Sequence, residues 1–130
     1  MKWLIDTNIW LYAAAKQKEC VALLDAVSDS EWTGYSAITR LELFGFPDLQ
    51  SEDEKRLKEL LEGFSEAEVN ALVIDKAIEV RRGRRVRAPD AIIAATALIM
   101  EATLVTRNTD DFKGIKALRL MNPYATTVGK

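Results

Sequence analysis

Four places in this chain carry side chains suited to shared chemistry. Asp6 stands in Asp6-Thr7-Asn8, Glu42 in Thr39-Arg40-Leu41-Glu42, and Asp90 in Pro89-Asp90-Ala91. Asn108 and Asp111 lie in the run Thr106-Arg107-Asn108-Thr109-Asp110-Asp111-Phe112. These are hard oxygen donors, the kind that Mg²⁺ or Mn²⁺ accepts. The composition narrows the chemistry further. The sequence has no histidine and one cysteine, Cys20. A histidine general base, a Ser-His-Asp triad and zinc held by imidazole or several thiolates are therefore excluded. An enzyme made from this chain works with carboxylates, lysine, hydroxyls or a hard metal ion.

Each acid also has an ordinary structural reading. Asp6 ends a strand-like run and suits the N-cap of the next helix. Glu42 lies three residues after Thr39, the spacing of a capping box. Asp90 falls in the first turn of a helix, where an anion gains about 0.3–1 kcal/mol from the helix dipole. Asn108 and Asp111 are common turn residues. None of the four is decisive alone.

The elements that must position these groups can be read from periodicity. Lys2–Ile5 predicts a strand, Glu19–Val27 a helix, and Trp32–Ser36 a second strand that Gly34 weakens. Ile38–Phe46 predicts a helix ended near Gly45 and Pro47, and Ser51–Glu62 another ended at Gly63. Val69–Ile74 predicts a third strand and Lys76–Arg82 a helix. Pro89–Glu101 predicts a helix opened by proline. Thr103–Thr106 predicts a fourth strand, Leu118–Met121 a fifth, and the tail from Thr126 is expected to fray. Strands alternating with helices imply a parallel sheet covered on both faces. Asp6 and the Asn108–Asp111 turn then follow parallel strands and face one edge, where open α/β sheets carry their sites.

The bulk properties agree with a small globular protein. The chain has 130 residues, 48% apolar and 29% charged, with a net charge of −2. That length predicts one domain over residues 1–130. A lone cysteine suits a reducing cytoplasm. No stretch approaches the roughly 20 apolar residues of a membrane helix, and the acid at position 6 breaks any signal-peptide pattern.

Taken jointly, the motifs resemble the PIN-domain family, and within it the VapC toxins of VapBC toxin–antitoxin pairs. The matching text is Leu4-Ile5-Asp6-Thr7-Asn8-Ile9, Ile38-Thr39-Arg40-Leu41-Glu42-Leu43, Pro89-Asp90-Ala91-Ile92-Ile93-Ala94-Ala95-Thr96-Ala97 and Leu104-Val105-Thr106-Arg107-Asn108, in order along nearly the whole chain. The resemblance implies a three-layer α/β/α sandwich around a parallel sheet of four to five strands. It implies a Mg²⁺- or Mn²⁺-dependent endoribonuclease with Asp6, Glu42 and Asp90 in its active site. The fourth acid of many relatives falls in the Thr106–Asp111 turn. Asn108 stands where some relatives carry Asp, and Asp111 follows three residues later. It further implies a cognate antitoxin as partner, whose C-terminal segment lies over the active-site groove, and a homodimer.

That chemistry suits the donors. Carboxylates brought within about 4 Å of one another repel by on the order of 4 kcal/mol per pair at an effective dielectric near 20, so a cation is wanted among them. Asp6 and Asp90 are the expected metal ligands, Glu42 an outer ligand or water-orienting group, and Asn108 or Asp111 the completing group. Thr7, Asn8 and Thr106 are expected to position phosphate or water. The run Arg81–Arg87 holds five arginines in seven residues. Arg84, Arg85 and Arg87 are its candidate contacts to the RNA backbone, against a plain reading as a solvated face. Trp10, Leu11, Tyr12, Phe44 and Phe46 are expected in the core, with some free to form a groove or dimer contact. A haloacid-dehalogenase-type phosphatase wants an Asp two residues after the first, where this chain has Asn8. The alternative is a PIN-like module that only binds RNA or protein.

Overall fold

A computed structural model describes residues 1–125. The expected fraying from Thr126 lies outside the described residues. Among the described residues five strands are formed: β1 (Lys2–Ile5), β2 (Trp32–Ser36), β3 (Ser65–Ala67), β4 (Thr103–Val105) and β5 (Arg119–Met121). Seven helices accompany them: α1 (Thr7–Ala14), α2 (Lys18–Val27), α3 (Ala37–Phe44), α4 (Ser51–Leu61), α5 (Ala71–Gly83), α6 (Ala88–Met100) and α7 (Thr109–Phe112). The strands make one sheet in the order β3-β2-β1-β4-β5, every neighbouring pair parallel. This is the expected α/β/α sandwich.

The layers follow from strand alternation. Side chains of successive strand residues point to opposite faces. Ile5 and Val105 accordingly join a core with Ile9, Trp10, Leu24 and Leu57 of α1, α2 and α4. Leu4 and Leu104 join the other core, with Ile93, Ala94 and Ala97 of α6. Trp10 anchors the first core. It is fully buried, lies edge-on to Tyr35 and Phe64 at 5.8 and 5.1 Å, and its indole N–H donates to the Ile5 carbonyl at 3.3 Å. Truncating such a residue to alanine costs roughly 3–5 kcal/mol. Since α1 starts directly after Asp6, this anchor also fixes the first acid.

Two expectations are corrected. Val69–Ile74 is not a strand. Asn70 caps α5 by accepting from the Val73 N–H at 3.0 Å, and the helix then buries Val73, Ala77 and Val80 at spacings of four and three. The expected helix at Lys76–Arg82 is its second half. The third strand is instead Ser65–Ala67, too short and polar to show a period. It reaches β2 because Gly34 lacks a side chain: a Cβ there would stand 1.9 Å from the Ser65 carbonyl oxygen. The glycine that weakens the β2 signal is thus what lets β3 pair.

Candidate active site

Parallel strands carry their following residues to one edge of the sheet. The chain leaves β1 at Asp6, β2 at the start of α3, and β4 at Thr106. Asp6 is held there as expected of an N-cap, its backbone N–H donating to the Val105 carbonyl at 2.9 Å and its Oδ1 accepting from the Thr7 N–H at 2.9 Å. Its other oxygen, Oδ2, accepts from the buried hydroxyl of Thr106 at 2.8 Å. The Thr106 hydroxyl also accepts the Asn108 N–H at 3.1 Å. Cap and site are here the same residue.

Asp6 is 7% exposed. Burial lifts its pKa from 3.8 to about 6, the two hydrogen bonds oppose the rise, and the charges of Asp90 and Glu42 add to it. Asp6 therefore feels the charges of both Asp90 and Glu42.

Glu42 is not a capping-box residue, which corrects the sequence reading. Ser36 caps α3, accepting from the Ile38 N–H at 3.1 Å, and Thr39 lies inside the helix. The Glu42 side chain reaches α1 instead, where the Thr7 hydroxyl donates to its Oε1 at 2.7 Å. Thr7 Oγ1 also lies 2.9 Å from Oγ1 of the buried Thr39. A hydroxyl has one proton to give. Thr7 gives its own to Glu42, so Thr39 donates to Thr7. Sequence reasoning missed Thr39 as a contributor; its place three residues before Glu42 was the available signal.

Asp90 opens α6 and accepts from Arg87 Nε at 3.2 Å. The Arg87 guanidinium is held firmly protonated by this bond and by the Asp90 charge, with Glu42 and Asp111 adding more distant negative charge. Asp111 of the short helix α7 thus acts on the same arginine as Asp90 and Glu42. Asn108 is that helix's N-cap residue, and Asp111 N–H bonds its carbonyl at 3.0 Å. Asn8 is half-buried in the first turn of α1.

The other arginines of the run part company with Arg87. Arg81 donates to the Val86 carbonyl at 3.1 Å. Arg84 lines a groove with Lys76, Glu79, Gly114 and Lys116. Arg85 is exposed.

Comparison with known proteins bears on this geometry. The PIN domain family pattern matches residues 3–118. This chain belongs to the PIN domain family. No curated protein matches it in sequence. Among solved structures, VapBC2 from Rickettsia felis, bound to a DNA fragment from its promoter, is 27% identical, with a TM-score of 0.83 over 94% of this chain and 98% of that one. A toxin–antitoxin complex from Klebsiella pneumoniae is 29% identical, with a TM-score of 0.79 over 95% and 98%. FitAcB from Neisseria gonorrhoeae is 28% identical, with a TM-score of 0.76 over 95% and 99%.

In this PIN domain no three acidic side chains among the described residues stand close enough to hold one ion directly. That arrangement still fits Mg²⁺, which keeps several of its waters and needs only one or two carboxylates. Asp6 and Asp90 supply that number, and the buried, like-charged surroundings of Asp6 favour a cation beside it. No helix among the described residues is long and apolar enough to cross a membrane.

Proposed function

We propose that this PIN domain is the Mg²⁺- or Mn²⁺-dependent endoribonuclease toxin of a toxin–antitoxin pair, acting in the cytoplasm as one domain over residues 1–130. The observation that carries the reading is Asp6: a buried carboxylate placed in the fields of Asp90 and Glu42, at the sheet edge where the chain also brings Asp111. A fold does not gather such charge for stability.

Asp6 and Asp90 would hold the ion, which supplies charge neutralisation at the phosphate and an acidified water. Glu42, held by Thr7, accepts a proton from or orients the attacking water. Thr106 fixes the Asp6 carboxylate, and Asn8 in the first turn of α1 would contact the phosphate. Between Asn108 and Asp111, the charge of Asp111, which acts on the same arginine as Asp90 and Glu42, favours it as the completing group.

An antitoxin fits the groove beside Glu42. This cavity of about 390 Å³ is lined by Leu11, Ala14, Glu42, Phe46, Asp53 and Leu57, among others. Leu11 and Phe46, expected in the core, are 42% and 57% exposed there. A partner segment with apolar and basic side chains would cover both the apolar wall and the acids. Ile74 and Ile78, one turn apart on α5, are also exposed, and they are the surface we assign to a homodimer contact.

The test is cleavage of single-stranded RNA by purified protein with and without excess EDTA. Cleavage with Mg²⁺ or Mn²⁺ that EDTA abolishes is the expected result; undiminished cleavage in EDTA would overturn the metal role, and no cleavage with either ion would overturn the nuclease.

A further inference from the structure

On the rim of the acidic site stands a cation that has no part in the chemistry above. Arg107 directly follows Thr106, the residue whose hydroxyl holds Asp6. Its side chain is exposed, and among the described residues no carboxylate pairs with it. Yet it is seated on a platform. The guanidinium carbon lies 4.1 Å from the ring centre of Tyr124 and 5.3 Å from that of Tyr12. The two rings meet edge to face, 5.8 Å apart at 87°.

The platform is itself held. The Tyr124 hydroxyl donates to Gln17 Oε1 and accepts from the Cys20 thiol at 3.3 Å, and its backbone N–H donates to Asn122 Oδ1 at 2.9 Å. Asn122 in turn donates to the Arg107 carbonyl at 3.4 Å. Tyr12 lies six residues after Asp6 on α1, so the platform begins roughly 9 Å along the helix axis from the acid. Arg107 stands in the chain between Thr106, which bonds Asp6, and Asn108, so its platform flanks the acid.

We propose that Arg107, seated on Tyr12 and Tyr124, binds the RNA strand next to the cleavage site, stacking its guanidinium plane against a base and donating to the adjoining phosphate. This rests on the ribonuclease reading above. A planar guanidinium with five donors suits both contacts, and bases in single-stranded RNA are taken up by stacking on such planes and on aromatic rings. Stacking is sequence-tolerant, because every base offers a face. A chain of net charge −2 also needs its phosphate contacts held locally.

The experiment measures the affinity of a short fluorescent single-stranded RNA by anisotropy in EDTA, for the wild type, Arg107→Ala, Arg107→Lys and Tyr124→Leu, with melting temperatures alongside. Arg107→Ala is expected to weaken binding roughly 5- to 150-fold, the range for losing one stacked base. It should also flatten the salt dependence by about 0.7. Arg107→Lys restores the salt dependence but not the affinity, because an ammonium keeps the charge and loses the plane. Abasic substitutions scanned through the RNA weaken the wild type at one position and leave Arg107→Ala unmoved there. Unchanged affinity in Arg107→Ala and Tyr124→Leu, for an RNA the wild type binds and cuts, overturns the proposal, and a lowered melting temperature with it marks the cluster as a clamp only. If the wild type neither binds nor cuts RNA, the ribonuclease reading has failed and this inference fails with it.

Discussion

Arg87 and Asp90 form an ion pair one helical turn apart, Nε to Oδ2 at 3.2 Å, with the arginine side chain 75% exposed and the carboxylate 14% exposed. One proposed metal ligand is therefore already neutralised by the protein's own cation. Any ion that takes Asp90 must share or displace this partner. Arg87→Ala should thus raise the apparent affinity for Mg²⁺, by no more than about fivefold, the worth of an exposed pair. The rise of melting temperature with Mg²⁺ concentration measures it directly. An unchanged midpoint would show that Arg87 and the ion do not compete.

Asp6 gives a pH prediction. Its pKa is raised in the folded state, from 3.8 to about 6. The neutral acid is thus favoured by folding, and this contribution is present below about pH 4 and lost as pH rises to about 6. At neutral pH and without metal the ionised group costs on the order of 3 kcal/mol, at about 1.4 kcal/mol per tenfold step. In EDTA, Asp6→Asn should therefore be more stable than the wild type at pH 7, by an amount that shrinks toward pH 4, while cleavage is abolished. A stability difference that is flat with pH, measured by urea unfolding, would mean that Asp6 is not strained.

The sequence showed the acids more clearly than it showed what holds them. Asp6, Glu42 and Asp90 sit in motifs with local signatures, and parallel β1 and β4 bring Asp6 and the Asn108 turn together as their order implies. The Thr7–Glu42 bond spans 35 residues and the Thr106–Asp6 bond 100, so neither leaves a periodic trace. The arginine run illustrates the converse. Adjacent in sequence, its members take different partners: Arg81 bonds the Val86 carbonyl and Arg87 pairs with Asp90. The third strand was misplaced because Val69, Val73 and Ile74 are β-branched, while the true Ser65–Ala67 strand is set by its approach to Gly34.

The groove beside Glu42 yields a prediction about the partner. Phe46 is exposed at its lip and makes no part of either sheet-facing core. Phe46→Asp should leave the melting temperature within a few degrees of wild type, as surface changes do. It should weaken antitoxin binding at least tenfold, because an acid would be buried against an apolar segment. Co-expression with the neighbouring gene product, followed by titration calorimetry, provides the comparison. Full affinity in the variant would place the partner elsewhere.

The last prediction concerns the hydroxyl relay from Thr39 to Thr7 to Glu42. Glu42 stands on α3, and among the described residues its bond from Thr7 on α1 is what fixes the carboxylate relative to Asp6. Thr7→Val keeps the size and shape of the side chain and removes the hydroxyl, leaving Glu42 free to turn toward solvent and Thr39 without its acceptor. A hydrogen bond to a charged group contributes about 1.5–3 kcal/mol, less where water can replace it. A fall in kcat of roughly tenfold is therefore expected, with KM little changed, because the relay positions a reacting group and does not touch the bulk of the RNA. Thr7→Ser should restore most of the rate, since it returns the donor. The same Thr7→Val change made in Glu42→Gln should then have little further effect, because the two residues act as one unit. Independent, multiplying losses in the double variant would show that Thr7 acts on the substrate and not through Glu42.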